Sequence, residues 1–145
     1  MFKHLLLPAD GSDNARRAIE KAVAIARAFG GRVTAIYVID PYTLSGVGAD
    51  FAYGQAEYLS AARAEAEVAM AQVTQACEQA GVAVDTALVE SHSVSKGILA
   101  KAQEVGADLI VMGSHGKRGL EKLVLGSVTS QVLSHAHLPV LVVRD

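Results

Sequence analysis

The 145-residue chain is 51% apolar and 19% charged, the composition of a folded globular domain rather than a disordered one. Its net charge of -2 excludes the broad cationic face that holds nucleic acid, and its one cysteine, Cys77, excludes an internal disulfide or a cysteine-built metal site. No apolar run approaches the roughly 20 residues that cross a bilayer, and the apolar stretch before Pro8 is too short for a signal peptide. A soluble, cytoplasmic protein with no membrane partner is expected.

Apolar runs alternate with helical patterns along residues 1–145, which predicts a single α/β domain around a parallel sheet. The first strand, His4 to Pro8, is apolar throughout, as suits a strand covered on both faces. Ser12 or Asp13 caps the helix that follows, with Ala15, Ile19, Ala22, Ala26 and Phe29 on one face and Gly30-Gly31 ending it. Arg32 to Ile39 is a β-branched second strand, stopped by Asp40-Pro41; Tyr37 on it is read as core. Residues 41 to about 54 lack a clear period and are read as a long loop, either a lid or a plain insertion.

A long alanine-rich helix is predicted from about Gln55 to Ala80. Leu59, Ala62, Ala66, Ala69, Val73, Ala76 and Ala80 form its buried stripe, and Cys77 lies beside it as a small buried hydrophobe. Val82 to Val89 is the third strand. Ser93 caps a third helix ending near Val105, despite the cost of Gly97 within it. Asp108 to Met112 is the fourth strand. A glycine-rich segment, Gly113 to Gly126, leads into a helix from Ser127 to about Ala136, and Leu138 to Val143 is the last strand.

In an open parallel sheet, ligands bind beyond the carboxyl ends of strands where the chain order reverses. Two strand ends have the small and polar residues this requires: Pro8-Ala9-Asp10-Gly11-Ser12 and Met112-Gly113-Ser114-His115-Gly116. The second extends into a spaced pattern, Gly113, two residues, Gly116, nine residues, then Gly126-Ser127 at a helix start. Glycine N–H groups approach anionic oxygens closely, and the helix start adds unpaired N–H groups, the Ser127 hydroxyl, the amides of Val128 and Thr129, and a further hydroxyl on Thr129. Hydrogen bonds to a charged phosphate contribute about 1.5–3 kcal/mol each. Four of them account for micromolar binding, about 8 kcal/mol, before ordering costs. Neither a P-loop nor a dinucleotide fingerprint is present.

These stretches resemble the universal stress proteins, in the subgroup that binds ATP. The likeness rests on Leu5 to Ser12, on Ala107 to Gly116, and on Leu125-Gly126-Ser127 through Val143. The subgroup's signature, G-x-x-G, nine residues, then G-[ST], is complete here. Ser91-His92, away from the signature, departs from the family pattern, since relatives often carry a glycine before the third helix, which bears on local loop shape.

The resemblance implies a three-layer α/β/α domain with a five-stranded parallel sheet in the order 3-2-1-4-5. This is the Rossmann-like arrangement of the adenine nucleotide alpha-hydrolase-like folds. It places adenine near Pro8, Ala9, Asp10 and the backbone of Val38, with Met112 covering it. Asp10 accepts from the ribose or from the adenine amino group, or is only a turn former before Gly11. Gly113 and Gly116, with Ser114 and His115 between them, hold ribose and phosphates, and Gly126, Ser127, Val128 and Thr129 the remaining phosphates. Lys117 or Arg118 offsets phosphate charge or is simply solvent-exposed. Mg²⁺ would arrive with the nucleotide. The resemblance also implies a homodimer through Val140 to Val143, and leaves a protein partner unidentified.

Ser114-His115 invites a nucleophile–base reading, but adjacent side chains diverge in most backbone conformations and no orienting third group is identifiable. His135 and His137 read as the end of a helix rather than metal ligands, and His4 and His92 as surface or strand-end residues. Three functions stand: a nucleotide-dependent regulatory module with little turnover, an ATPase or phosphotransferase, and an interaction protein whose glycine turn is structural.

Overall fold

The computed structural model describes residues 1–41, 49–115 and 125–144. Five parallel strands, β1 (His4–Pro8), β2 (Arg32–Ile39), β3 (Val84–Glu90), β4 (Leu109–Gly113) and β5 (Val140–Val143), form one sheet in the order β3-β2-β1-β4-β5. The helices are α1 (Asp13–Phe29), α2 (Ala49–Gln79), α3 (Val94–Val105) and α4 (Ser127–His135). Side-chain alternation along β1 divides the core. Leu5 and Leu7 pack with Ala18 and Ala22 of α1 and with Val73 and Cys77 of α2. Leu6 faces the other layer, with Ile98 and Ala102 of α3 and Val132 of α4. All three leucines are fully buried, so the continuous apolar run marks a strand covered on both faces.

Several boundaries differ from those expected. Helix α2 begins at Ala49, so the loop expected over 41–54 is partly helix, and residues 42–48 lie outside those described. β3 starts at Val84 rather than Val82, and β5 at Val140 rather than Leu138. Pro139 precedes β5 without a donor of its own, while its carbonyl accepts from the Ile110 N–H at 3.0 Å. Phe29, expected on the buried face of α1, is 39% exposed and packs edge-on against Phe2.

Three local devices set the helices that border the site. Asp10 Oδ1 accepts from the Ser12 N–H at 2.9 Å, and Ser12 Oγ accepts from Ala15 N at 3.1 Å, so α1 begins capped. Ser93 caps α3 in the same way at Lys96 N. A Cβ at Gly97 would lie 3.0 Å from Ser91 Cβ and 3.2 Å from Val38 Cγ1; glycine there lets α3 close onto β2. Ser91 itself shapes the turn into α3, its Oγ donating to Ser93 O at 2.8 Å.

The amino end of β1 is tied down far from the strand ends. The Asp108 carboxylate accepts from the backbone N–H groups of Lys3 and His4 at 2.8 and 3.0 Å. Burial disfavours its charge, but those N–H donors prevail and hold the carboxyl below its ordinary range. Burial, with Arg32 nearby, likewise lowers the imidazole of His4, whose Nε2 lies 2.6 Å from Thr34 Oγ1. Both folded values lie below the unfolded ones, so the unfolded chain binds more protons and acid is destabilising. The His4 contribution is complete above its ordinary value of 6.5 and is lost as pH falls through the folded value. The Asp108 contribution is lost lower, below its ordinary 3.8. Urea denaturation between pH 7.5 and 5 is expected to give a shallower pH dependence for His4→Gln than for the wild type. An unchanged slope would show that His4 titrates alike in both states.

Candidate functional site

At the carboxyl ends of the strands, where order reverses between β1 and β4, a cleft of about 380 Å³ opens. That volume lies in the range of small-molecule sites. Pro8, Ala9 and Asp10 line it from β1, Tyr37 and Val38 from β2, and Met112, Gly113 and His115 from β4 and its end. Ala15 of α1, Val94 and Ile98 of α3, and Gly126, Ser127, Val128 and Thr129 at the start of α4 complete it. One wall is therefore apolar and the other is a helix start.

That helix start differs from its neighbours. Where α1 and α3 are closed by serine caps, α4 begins at Gly126 with no side-chain cap. The Gly126 N–H donates to Ser114 O at 2.8 Å, and its carbonyl accepts from Ser130 N at 2.9 Å. The N–H groups of the first turn, at Ser127, Val128 and Thr129, are those a helix cannot satisfy internally. They lie at the cleft with the positive end of the helix dipole behind them, an arrangement suited to an anion.

The two predicted strand ends meet as expected, and Pro8, Ala9, Asp10, Val38, Met112, Gly113, His115, Gly126, Ser127, Val128 and Thr129 share one wall system. Gly116, Lys117 and Arg118 lie outside the described residues. Other expectations are corrected. Ser114 is 1% exposed and does not line the cleft. The Thr129 hydroxyl donates to Gly113 O at 2.9 Å, so Thr129 offers the cleft its backbone N–H rather than its hydroxyl. A Cβ at Gly113 would fall 2.7 Å from Asn14 Oδ1, so this glycine is required first by α1 packing against β4. Asp10 does form a turn through Oδ1, yet it also borders the cleft, leaving its other oxygen as an acceptor.

Nor do Ser114 and His115 diverge. Ser114 Oγ lies 3.1 Å from His115 Nδ1, and Asn14 Nδ2 donates to Ser114 Oγ at 3.4 Å. With its hydroxyl buried, Ser114 cannot act as a nucleophile on a ligand in the cleft.

Sequence reasoning missed Ala15, Tyr37, Val94 and Ile98. The last two are four residues apart on α3, a spacing that puts them on one face and was available as a signal. Tyr37, expected in the core, is half-buried against the α1–α2 layer, with its hydroxyl 3.4 Å from Glu65 Oε2, and still reaches the cleft. His135, as expected, ends α4, its Nδ1 2.9 Å from Gln131 O. Among the described residues, no group of three or more His, Cys, Asp or Glu is placed to hold a metal ion, and no helix is long and apolar enough to cross a membrane.

The model of the universal stress protein family matches residues 1–144. A universal stress protein of Methanocaldococcus jannaschii is 39% identical over 145 residues, covering 99% of this chain and 83% of the relative. Among solved structures, the universal stress protein UspA from Lactobacillus plantarum superposes with a TM-score of 0.87 at 30% identity, over 99% of this chain and 98% of that one. The universal stress protein from Archaeoglobus fulgidus in complex with dAMP gives 0.71 at 21% identity, over 99% and 98%, a likeness of fold. Sequence and structure agree along the whole length: the chain belongs to the universal stress protein family.

Proposed function

We propose that the cleft binds an adenine nucleotide, ATP in the first place, and that the bound nucleotide sets the state of a cytoplasmic regulatory module with little or no turnover. The observation that carries this reading is the uncapped start of α4, facing an apolar slot at the point where strand order reverses. A nucleotide needs both halves. A flat, mostly apolar base fits against Val38, Met112, Val94 and Ile98, and phosphates fit the N–H groups of Ser127, Val128 and Thr129. Asp10 is within the same cleft as an acceptor for ribose hydroxyls or the adenine amino group. Mg²⁺ would enter on the phosphates of the nucleotide. A structural relative bound to dAMP is in keeping with this arrangement of the fold.

Rapid hydrolysis requires at least about 8 kcal/mol of barrier lowering, from positioned charge and a base or metal. The groups gathered at the start of α4 are hydrogen-bond donors, which bind an anion but do not activate water. Calorimetry on nucleotide-free protein should give a micromolar or tighter dissociation constant for ATP. Steady-state turnover should fall far below the roughly 1–1,000 per second usual for enzymes. No heat of binding near millimolar ATP would overturn the nucleotide reading. A fast ATPase abolished by a single change in the cleft would instead make the protein an enzyme.

A further inference from the structure

Helices α3 and α4 meet mainly through apolar side chains. Ile98 and Ala102 of α3 are buried with Val132 of α4, and Val94 and Val128 pack against them. Apolar contact has no direction, so by itself it leaves two helices free to shift along each other. One polar bond fixes them. Ser95 is 6% exposed, and its Oγ donates to Gln131 Oε1 at 2.7 Å, the one side-chain hydrogen bond between α3 and α4 among the described residues. With its single proton spent on Gln131, Ser95 Oγ accepts from Ser93 Oγ, 3.1 Å away. Ser93 Oγ in turn accepts from Lys96 N at 3.3 Å as the cap of α3. Hydrogen bonds thus run unbroken from the first turn of α3 to the side of α4.

Ser95 and Gln131 do not line the cleft, but their neighbours do. Val94, next to Ser95, and Ile98, three residues beyond it, belong to the apolar wall. Ser127 and Val128, one turn before Gln131, belong to the wall of N–H groups. Towards β4, α4 is held by the Gly126 N–H on Ser114 O and the Thr129 hydroxyl on Gly113 O. Those bonds set its place against the strand; the Ser95–Gln131 bond sets its place against α3. We propose that Ser95 and Gln131 are positioning residues that hold the two walls of the cleft in register. They then govern affinity for a ligand that touches both walls and not for one that touches the apolar wall alone. The inference rests on the nucleotide reading of the cleft and adds to it a device that acts without touching the nucleotide.

Calorimetry on nucleotide-free protein should compare ATP, which spans both walls, with adenosine, which has no phosphates. Ser95→Ala and Gln131→Met each remove the bond without adding bulk, and Gln131 is exposed, so the domain should stay folded. Each should weaken ATP about 3- to 10-fold, the range of one ordinary hydrogen bond, and leave adenosine within about twofold. The double variant should bind ATP no more weakly than either single one, because both changes cut the same bond. Gln131→Glu keeps an oxygen for Ser95. In about 1 M salt, where screening confines an exposed charge to about 3 Å, it should bind ATP as the wild type does in the same salt. Folded variants with full ATP affinity would overturn the proposal. So would adenosine weakened as much as ATP, which would make the bond a general support of the fold, and so would losses that multiply in the double variant. A wild type that binds neither ATP nor adenosine would overturn the nucleotide reading itself, whereas ATP binding indifferent to these changes removes only the role of Ser95 and Gln131.

Discussion

Replacing Gly126 with valine is expected to weaken ATP binding about a hundredfold while the domain stays folded. The backbone there is ordinary extended chain, φ -64° and ψ 158°, so the penalty comes from contact and not from the dihedral angle. A Cβ would stand 3.2 Å from Ser114 O and 3.4 Å from His115 Cα, and the Gly126 N–H clamps that same carbonyl at 2.8 Å. A single methyl needs a shift of a few tenths of an ångström, whereas the branched side chain of valine must push the start of α4 off the end of β4. The first-turn N–H groups move with it. Losing two hydrogen bonds to phosphate at about 1.5 kcal/mol each gives about 3 kcal/mol, near a hundredfold.

Overpacking at one point typically costs about 1–3 kcal/mol, less than the usual 5–15 kcal/mol of a domain's stability. Gly126→Ala should accordingly lose less than about tenfold. Gly106→Ala is the control. Its φ of 71° at the α3 C-cap makes any side chain strained, and nothing lies within 4 Å of the added carbon. It should lower the melting temperature and leave ATP affinity alone. Calorimetry beside thermal unfolding separates the two effects. A folded Gly126→Val variant with wild-type affinity would put the phosphates elsewhere.

The parts of this site that local pattern makes visible are those made by consecutive residues. Apolar runs between capped helices give the strands, and the glycine spacing marks the start of α4 because a missing Cβ and a helix start are both sequence-local facts. The order of the sheet came from resemblance, since strand pairing such as Leu5 with Leu109 joins residues that no periodicity connects. The start of α2 is not legible in the sequence because Ala49 to Gly54 mixes small and aromatic residues without a helical stripe.

The purposes of individual polar groups were the least legible. Gly113 looked like a phosphate contact, and the structure gives it an earlier duty, making room for Asn14. The Thr129 hydroxyl looked available, and it fastens α4 to the carbonyl of Gly113. The Asn14–Ser114 bond joins residues 100 positions apart, which only the placement of β4 beside α1 brings together. Local chemistry named the donors; tertiary packing decided which were already engaged.

We propose that two copies of the chain pair through the outer edge of the sheet, which carries the second large expected effect: Leu141→Lys should turn that pair into monomers. Among the described residues, β5 pairs with β4 on one side and is the terminal strand of the sheet on the other, an edge whose backbone groups suit a further strand. Edges of this kind are usually blunted by charge, yet β5 reads Val140-Leu141-Val142-Val143, with Arg144 only after it. Leu141 is 37% exposed there, and Leu133 of the neighbouring α4 is 42% exposed. Antiparallel pairing of two β5 strands about a twofold axis would cover both edges and close the assembly. In such an interface each substitution occurs twice. Leu141 is already about two-thirds buried, so the apolar burial lost is about 1–2 kcal/mol for the two copies, about 5- to 40-fold in the dimer constant, before the cost of burying two ammonium groups.

Val143 is a poor choice for this test because it is 7% exposed and part of the core, so a lysine there would harm the fold. Leu88→Lys is the better control, an equally exposed leucine, at 39%, on the opposite edge strand β3. Light scattering at micromolar concentration should give twice the chain mass for the wild type and for Leu88→Lys, and a mass near that of one chain for Leu141→Lys. A wild type that remains monomeric at high micromolar concentration would reject the dimer. A dimer that tolerates Leu141→Lys would place the interface on another surface.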